Sequence, residues 1–224
     1  MSNKRKIVLS KGEIYHVLNR SIASEEIFVN KRILSRAISL IDYYRFSHKL
    51  SFSKYKKLSV KERIEYLKII KSSNKPVVEI FAFAFMPDHY HLLLRQLTEK
   101  GISHFISTFQ NAFAKYYNLK IGRDGGIFKT PFRAKWISTD EIFLHISRYI
   151  HLNPVTSYII DYEDLKLYPW TSYPEYQKGV REDNFINTEF LLKITGGIAN
   201  YNKFVSGQVD YQRKLKKIKT LLLE

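Results

Sequence analysis

The stretch from Phe81 to Gln96, FAFAFMPDHYHLLLRQ, constrains the fold more than any other part of the chain. Bulky residues alternate on both sides of Met86-Pro87-Asp88, and proline and aspartate are residues that turns favour. The pattern therefore predicts a hairpin of two apolar strands. Because side chains two residues apart in a strand point to the same face, His89 and His91 should project side by side. Two imidazoles on one face of a rigid strand can hold a divalent metal ion.

Composition narrows the class of protein. The chain has 224 residues, no cysteine, and 37 lysines and arginines against 21 acidic residues, which gives a net charge of +16. The lack of cysteine excludes disulfides and thiolate zinc sites. The positive charge favours a polyanionic partner, with nucleic acid first and an acidic membrane surface second. No stretch resembles a signal peptide or the ~20 apolar residues of a membrane span, so we expect a cytoplasmic protein.

Hydrophobic periodicity outlines a core of elements in the order strand, helix, strand, strand, helix, strand, helix. They are predicted at 14–19, 27–48, 77–86, 89–95, 101–119, 128–137 and 139–152. Asn153-Pro154 is expected to end the last helix. The first six elements match the βαββαβ order of ferredoxin-like (RRM-like) folds. The predicted fold class is therefore α+β, an antiparallel four-stranded sheet with helices packed on it, plus a C-terminal helical extension.

Changes in composition divide the chain into three parts. They are a basic N-terminal arm at 1–12, a central domain at 13–157, and an aromatic and helical extension at 158–224 that ends in a basic tail at 213–219. The central domain carries a Lys- and Ser-rich insertion at about 50–75. Within it, Ser59-Val60-Lys61-Glu62 has the capping-box pattern, which predicts a short helix.

The predicted helix at 139–152 provides a second group of candidate residues. His145, Tyr149 and Asn153 are spaced four apart and so share one helix face. If this helix crosses the sheet near the histidines, Asn153 could offer an oxygen as a third metal ligand and Tyr149 could attack a phosphate. Taken alone, a His-x-His pair on an apolar strand is also compatible with an incidental pair of histidines.

The motifs together resemble a known family. FMPDHYHLLL around His89 and His91, followed by SRYIHLNPV at 147–155, is similar to the IS200-like single-tyrosine HUH transposases, and most of all to the REP-associated tyrosine transposases. The resemblance implies that His89, His91 and Asn153 hold Mg²⁺ or Mn²⁺. It also implies that Tyr149 attacks single-stranded DNA to form a 5′-phosphotyrosine bond. Members of this family usually carry asparagine where this chain has Asp88.

Four residues are candidates for DNA contact. Asn19 and Arg20 end the first strand, and Arg133 and Lys135 alternate with apolar residues in FRAKW. The expected partner is single-stranded DNA, with hairpin (REP-like) repeats as the resemblance implies, bound in the cytoplasm at the nucleoid by a monomer or a homodimer. Two other functions stay open. One is a non-catalytic nucleic-acid-binding module on a ferredoxin-like sheet, and the other is an HUH endonuclease with a replication or domesticated role.

Overall fold

A four-stranded antiparallel sheet forms the centre of the molecule. The structure, a computed structural model, describes residues 7–73, 75–179 and 184–209. The strands are β1 (Ile14–Arg20), β2 (Val78–Met86), β3 (His89–Gln96) and β4 (Arg133–Ile137). Their order across the sheet is β2-β3-β1-β4. This arrangement confirms the predicted fold class. The basic tail at 213–219 and the first six residues of the basic arm lie outside the described residues.

Helices accompany the sheet throughout the described part of the chain. They are α1 (Lys31–Tyr44), α2 (Phe52–Lys57), α3 (Val60–Ser73), α4 (Gly101–Ile121), α5 (Asp140–Thr156), α6 (Tyr173–Gln177), α7 (Glu189–Thr195) and α8 (Ile198–Ser206). Asn30 caps α1, because its side chain accepts a hydrogen bond from the backbone N–H of Ile33 at 3.0 Å. Among the described residues, no helix combines the length and the apolar character needed to cross a membrane.

Opposite faces of the sheet carry different helices. Tyr90 of β3 contacts Phe109 of α4 edge to face, with ring centroids 5.4 Å apart, and its hydroxyl accepts a hydrogen bond from Gln110 at 2.7 Å. His91 is the next residue along β3, so its side chain points to the other face. There it meets Tyr149 of α5, whose ring centroid is 5.5 Å away. The sheet is therefore covered by α4 on one face and by α5 on the other.

The insertion folds into two helices, of which sequence analysis predicts one. The capping box at the start of α3 is present: Ser59 Oγ accepts from the Glu62 N–H at 3.3 Å, and the Glu62 carboxylate accepts from the Ser59 N–H at 2.7 Å. The six-residue helix α2 was not predicted, since so short a segment gives no helical periodicity. Its Phe52 is buried and packs edge to face on Tyr43 of α1, at 5.1 Å between centroids.

The predicted boundaries of α1, α5 and β4 are wrong, and α1 spans Lys31–Tyr44 rather than 27–48. Helix α5 continues through Pro154 to Thr156, because a proline in the last turn removes only one backbone donor and Ser157 N–H still reaches the carbonyl of Asn153 at 3.0 Å. Strand β4 begins at Arg133 rather than at 128. Phe128 makes only an isolated bridge to the chain at Ser21, and the intervening Pro131 has no N–H for a ladder.

The C-terminal extension covers the outer edge of β2. Phe83 N–H donates to Ser172 Oγ at 2.9 Å, and Ser172 N–H donates to the carbonyl of Phe83 at 3.0 Å. Further along the same edge, Asn187 N–H donates to the carbonyl of Ile80 at 2.8 Å. An exposed edge strand would offer unpaired backbone groups to other chains. The extension therefore completes the sheet instead of forming a body that stands apart from it.

Candidate active site

The sheet and α5 bring the predicted histidines and tyrosine together. The ring centroid of Tyr149 lies 5.5 Å from that of His91, and the rings of His89 and His91 are 5.1 Å apart. Tyr149 keeps 39% of its surface exposed, whereas His91 is almost fully buried. Because the Tyr149 ring contacts a buried histidine and is also exposed to solvent, a large substrate can reach it. These three predicted residues thus share one partly open site.

Small residues of β2 let α5 lie close to the sheet at this point. Ala84 pairs with His91 and Ala82 pairs with Leu93, so both alanines face α5 beside the site. The register of β2 shifts between Ile80 and Ala82. Such an irregularity changes the direction in which a side chain points. Phe81, which lies at the shift, contacts Phe143 of α5 edge to face at 5.0 Å.

Asn153 follows Tyr149 by one helical turn and is buried. Its amide nitrogen donates to the carbonyl of Tyr149 at 3.1 Å, a bond inside the helix. The amide nitrogen is thereby engaged, which makes the oxygen the atom that Asn153 can offer to a cation. This geometry depends on α5 continuing through Pro154, because an unwound chain at this point would turn Asn153 off the face of Tyr149.

The surroundings of Tyr149 disfavour loss of its phenol proton. Burial raises the pKa of Tyr149 above its ordinary value of 10.0, and hydrogen bonding from Asn153 and the positive charge of Arg20 oppose that rise without cancelling it. A nucleophilic phenol in this setting must lose its proton as it attacks. Asn153 and Arg20 are the neighbours that favour an ionised phenol at this position.

Asp88 lies inside the site and holds two of its side chains. The Asp88 Oδ1 atom accepts a hydrogen bond from His89 Nδ1, and Oδ2 pairs with Arg20 Nε at 3.2 Å. The backbone fixes the same turn, since Ser21 N–H donates to the carbonyl of Asp88 at 2.8 Å. The sequence pattern indicates a turn residue at Asp88, but the structure gives its carboxylate two partners in the site.

His16 of β1 also belongs to the site, and sequence analysis missed it. Its Nε2 lies 2.9 Å from His91 Nδ1, and the two rings stack with centroids 5.1 Å apart. The Tyr149 ring centroid is 6.1 Å from that of His16. Burial, together with the charge of Lys135, lowers the pKa of His16 to about 4, so the ring is neutral near neutral pH.

The register between β1 and β3 explains why His16 escapes sequence analysis. Leu18 is directly opposite His91, which places His16 diagonally across from it on the same face. These strands are far apart in sequence, and no turn between them sets their register. The residues Tyr15-His16-Val17 indicate a strand, but they do not show which side chains His16 contacts.

The donor set fits a divalent cation. Imidazole nitrogens and an amide oxygen are ligands for first-row divalent metals, and His89 and His91 lie side by side on one strand. Across residues 7–73, 75–179 and 184–209, no three histidine, cysteine or carboxylate side chains are grouped as a metal site. A site built on the two histidines therefore needs the Asn153 amide, water or the substrate to complete it.

Three of the four predicted DNA-contact residues lie on the face that carries the site. Lys135 is opposite His16 in the pairing of β4 with β1, and Arg133 is two residues away on the same side of the strand. Arg20 is opposite His89. All three basic side chains are exposed to solvent. They extend a positive surface from the edge strand to the histidines.

Asn19 is the predicted DNA-contact residue that the structure keeps away from this face. It is buried and points to the opposite side of β1. Its Nδ2 donates to the carbonyl of Lys129 at 2.7 Å, and its Oδ1 accepts from the backbone N–H of Arg20 at 2.9 Å. Both ends of the amide are used within the protein, so Asn19 fixes the chain that leads into β4.

His151 anchors the opposite side of α5. It is fully buried, with Nδ1 2.6 Å from the hydroxyl of Tyr201 and Nε2 2.7 Å from Ser172 Oγ. Burial lowers its pKa to about 3. His151 follows Tyr149 by two residues, so the two side chains point to different sides of the helix. The same contacts join the helix that carries Tyr149 to the C-terminal extension.

Comparison with known proteins gives a family and a related fold. The model of the family described as IS200-like transposases matches residues 14–153. A solved structure of a REP-associated tyrosine transposase bound to a REP hairpin aligns with a TM-score of 0.51 and 15% identity, over 80% of this chain and 87% of that chain. A putative transposase from Deinococcus radiodurans aligns with a TM-score of 0.36 and 15% identity, over 67% of this chain and 95% of that chain. Comparison with curated proteins gives no match.

Proposed function

The chain belongs to the IS200-like family of single-tyrosine HUH transposases, and we propose that it cuts and rejoins single-stranded DNA through a covalent bond to Tyr149. The observation that carries the proposal is the position of Tyr149, partly exposed and 5.5 Å from His91 between ring centroids. Family membership makes the protein a transposase. The nucleophile, the metal ligands and the DNA target are what we propose beyond it.

In the proposed reaction the Tyr149 oxygen attacks a DNA phosphorus and the bond from phosphorus to the 3′ oxygen breaks. The phosphate remains on the tyrosine as a 5′-phosphotyrosine ester, the phenol gives up its proton, and the departing 3′ oxygen gains one. A phosphate ester is exchanged for another, so a 3′-hydroxyl can reverse the step on a new end. Arg20 favours the ionised phenol by its charge, and the Asn153 amide favours it by hydrogen bonding.

We propose His89, His91 and the Asn153 oxygen as ligands of Mg²⁺ or Mn²⁺. When bound, such an ion polarises a phosphate oxygen and stabilises the charge that develops there. The remaining work falls to the protein, which orients the tyrosine beside the histidines and holds the DNA. Strand β3 holds the two histidines rigidly, and α5, which is anchored on both sides, holds Tyr149. Both elements keep the reacting groups in a fixed orientation.

The exposed basic residues of the same face are the proposed DNA contacts. Arg20, Arg133 and Lys135 surround the site and can neutralise backbone phosphates without reading bases. The related REP-associated transposase binds a REP hairpin. We extend that class of target to this chain, as single-stranded DNA that carries a hairpin.

Incubation with labelled single-stranded hairpin DNA and Mn²⁺, followed by a denaturing gel, tests the proposal. We expect a covalent protein–DNA adduct with the native protein and none with Tyr149→Phe, which should still bind the hairpin. Tyr158→Phe is the matched control, because Tyr158 is an exposed tyrosine just beyond α5. An adduct that persists in Tyr149→Phe, or that disappears equally in Tyr158→Phe, contradicts the assignment of the nucleophile.

A further inference from the structure

We propose that Asp88 and His16 are positioning residues that hold the two site histidines with Nε2 directed to the ligand. Each binds the Nδ1 atom of one ring, Asp88 that of His89 and His16 that of His91. The inference deepens the proposed function and rests on it, because it concerns how His89 and His91 would serve as ligands. The metal needs a lone pair on a ring nitrogen, and a neutral imidazole has one on only one of its two nitrogens.

The pair of Asp88 and His89 determines its own tautomer. An ionised carboxylate is an acceptor only, so the proton in this hydrogen bond belongs to His89 Nδ1. The lone pair of His89 is then on Nε2. Arg20 holds the other carboxylate oxygen through Nε at 3.2 Å, so both oxygens of Asp88 have a partner in the site. The backbone of Asp88 is fixed by the N–H of Ser21, so the whole clamp is built on the hairpin turn.

The contact between His16 and His91, which are both buried, corresponds to that between Asp88 and His89. Their nitrogens are 2.9 Å apart, so one ring donates and the other accepts. A ligand role for His91 requires that His91 Nδ1 donate to His16 Nε2, which leaves the lone pair of His91 on its own Nε2. His16 is 6% exposed and its ring stacks on that of His91, which limits the freedom of both rings.

The two contacts together orient the ligand pair without using either ligand's Nε2. Hydrogen-bond partners of metal-binding histidines fix the tautomer and the ring direction, and their loss weakens metal binding by roughly 10- to 100-fold. Asp88 carries this role from the turn, whereas His16 carries it from a different strand. The site in this chain therefore depends on β1 as well as on the hairpin.

Nitrogen-15 NMR of the histidine rings tests the proposal in the metal-free, full-length protein. We expect His89 and His91 to show the Nδ1–H tautomer, with assignments from His89→Gln and His91→Gln. Asp88→Ala should shift His89 toward the Nε2–H tautomer, and Asp88→Asn, which keeps an acceptor oxygen, should restore Nδ1–H. Asp124→Ala, at an exposed loop position, is the control carboxylate. An Nε2–H tautomer at His89 in the native protein, or no shift in Asp88→Ala, overturns the proposal for Asp88.

The His16 contact is tested in the same way. His16→Phe should release the tautomer of His91, and His16→Gln, which places an amide near the Nε2 position, should retain it. If His16→Phe fails to fold, His16→Gln and the native spectrum still decide, because an Nε2–H tautomer at His91 in the native protein overturns the role of His16.

Mn²⁺ titration supplies the second readout and separates the inference from the proposed function. We expect roughly 10- to 100-fold weaker Mn²⁺ binding for Asp88→Ala and His16→Phe, and unchanged Mn²⁺ binding for Asp124→Ala. Native tautomers opposite to those expected would overturn the inference even if the native protein forms its DNA adduct. Expected tautomers in a native protein that forms no adduct would instead overturn the proposed function.

Discussion

Replacement of His151 by glutamine should change how the stability of the protein depends on pH. Burial lowers the pKa of His151 from 6.5 to about 3 in the folded protein. The ring is therefore neutral when folded and takes up a proton on unfolding at any pH between these values. The free energy of unfolding should fall as the pH falls through that window, by ~1.4 kcal/mol per pH unit from this group. Between pH 6.5 and a pH about two units lower, the loss amounts to about 2.3 kcal/mol, because the slope is only half as steep at pH 6.5 itself.

Urea unfolding followed by tryptophan fluorescence at several pH values measures this effect. His151→Gln should be less stable than the native protein near neutral pH, because one of the hydrogen bonds to Tyr201 and Ser172 is lost. The difference between the two proteins should then shrink by about 2.3 kcal/mol over the same two pH units, since glutamine does not titrate. His16 is present in both proteins, so its own contribution cancels. His104→Gln, at an exposed position of α4, is the control, and parallel curves for the native protein and His151→Gln would refute the reasoning.

Three further outcomes are expected. His91→Ala should lose metal-dependent cleavage in the adduct assay while hairpin binding in a filter assay persists; unchanged cleavage would remove His91 from the ligand set. Replacing Arg133 and Lys135 together by glutamine should lower the slope of log affinity against log salt by ~0.7 per lost phosphate contact. Lys120→Gln, on α4 across the sheet, should leave that slope unchanged. Equal slopes for the two variants would contradict the proposed DNA-binding surface. Ser59→Ala should destabilise α3 by about 1 kcal/mol in thermal unfolding, and no change would show that the capping box is dispensable.

The core of the fold is predictable because its signals are local. The alternation on both sides of Pro87 defines the hairpin, and a 3.6-residue period defines α4 and most of α5. The end of α5 is not predictable in this way. A proline normally marks a helix boundary, yet packing of buried residues on both sides of Pro154 keeps the last turn helical. The helix α2 shows the same limit, since its Phe52 is placed by contacts with α1.

The residues of the candidate site also differ in whether local sequence patterns predict them. His89 and His91 follow from strand alternation, and Tyr149 and Asn153 from helical spacing, because each pair lies on one element. His16 requires the register of two strands that are remote in sequence, and no turn connects them to fix that register. The burial of Asn19 cannot be predicted from the sequence for a similar reason. Its partner is the carbonyl of Lys129, which belongs to a loop 110 residues along the chain.

The position of Tyr149 depends on both sides of α5. One side of the helix places Tyr149 against His91 of the same chain, at 5.5 Å between ring centroids, so a second copy is not required to assemble this pair. The other side is held by His151, which is fully buried and hydrogen-bonded to the C-terminal extension. Displacing the helix from its own sheet would expose that histidine and break both of its bonds. The extension, to which the sequence alone assigns no chemical role, thereby holds Tyr149 beside His91 of the same chain.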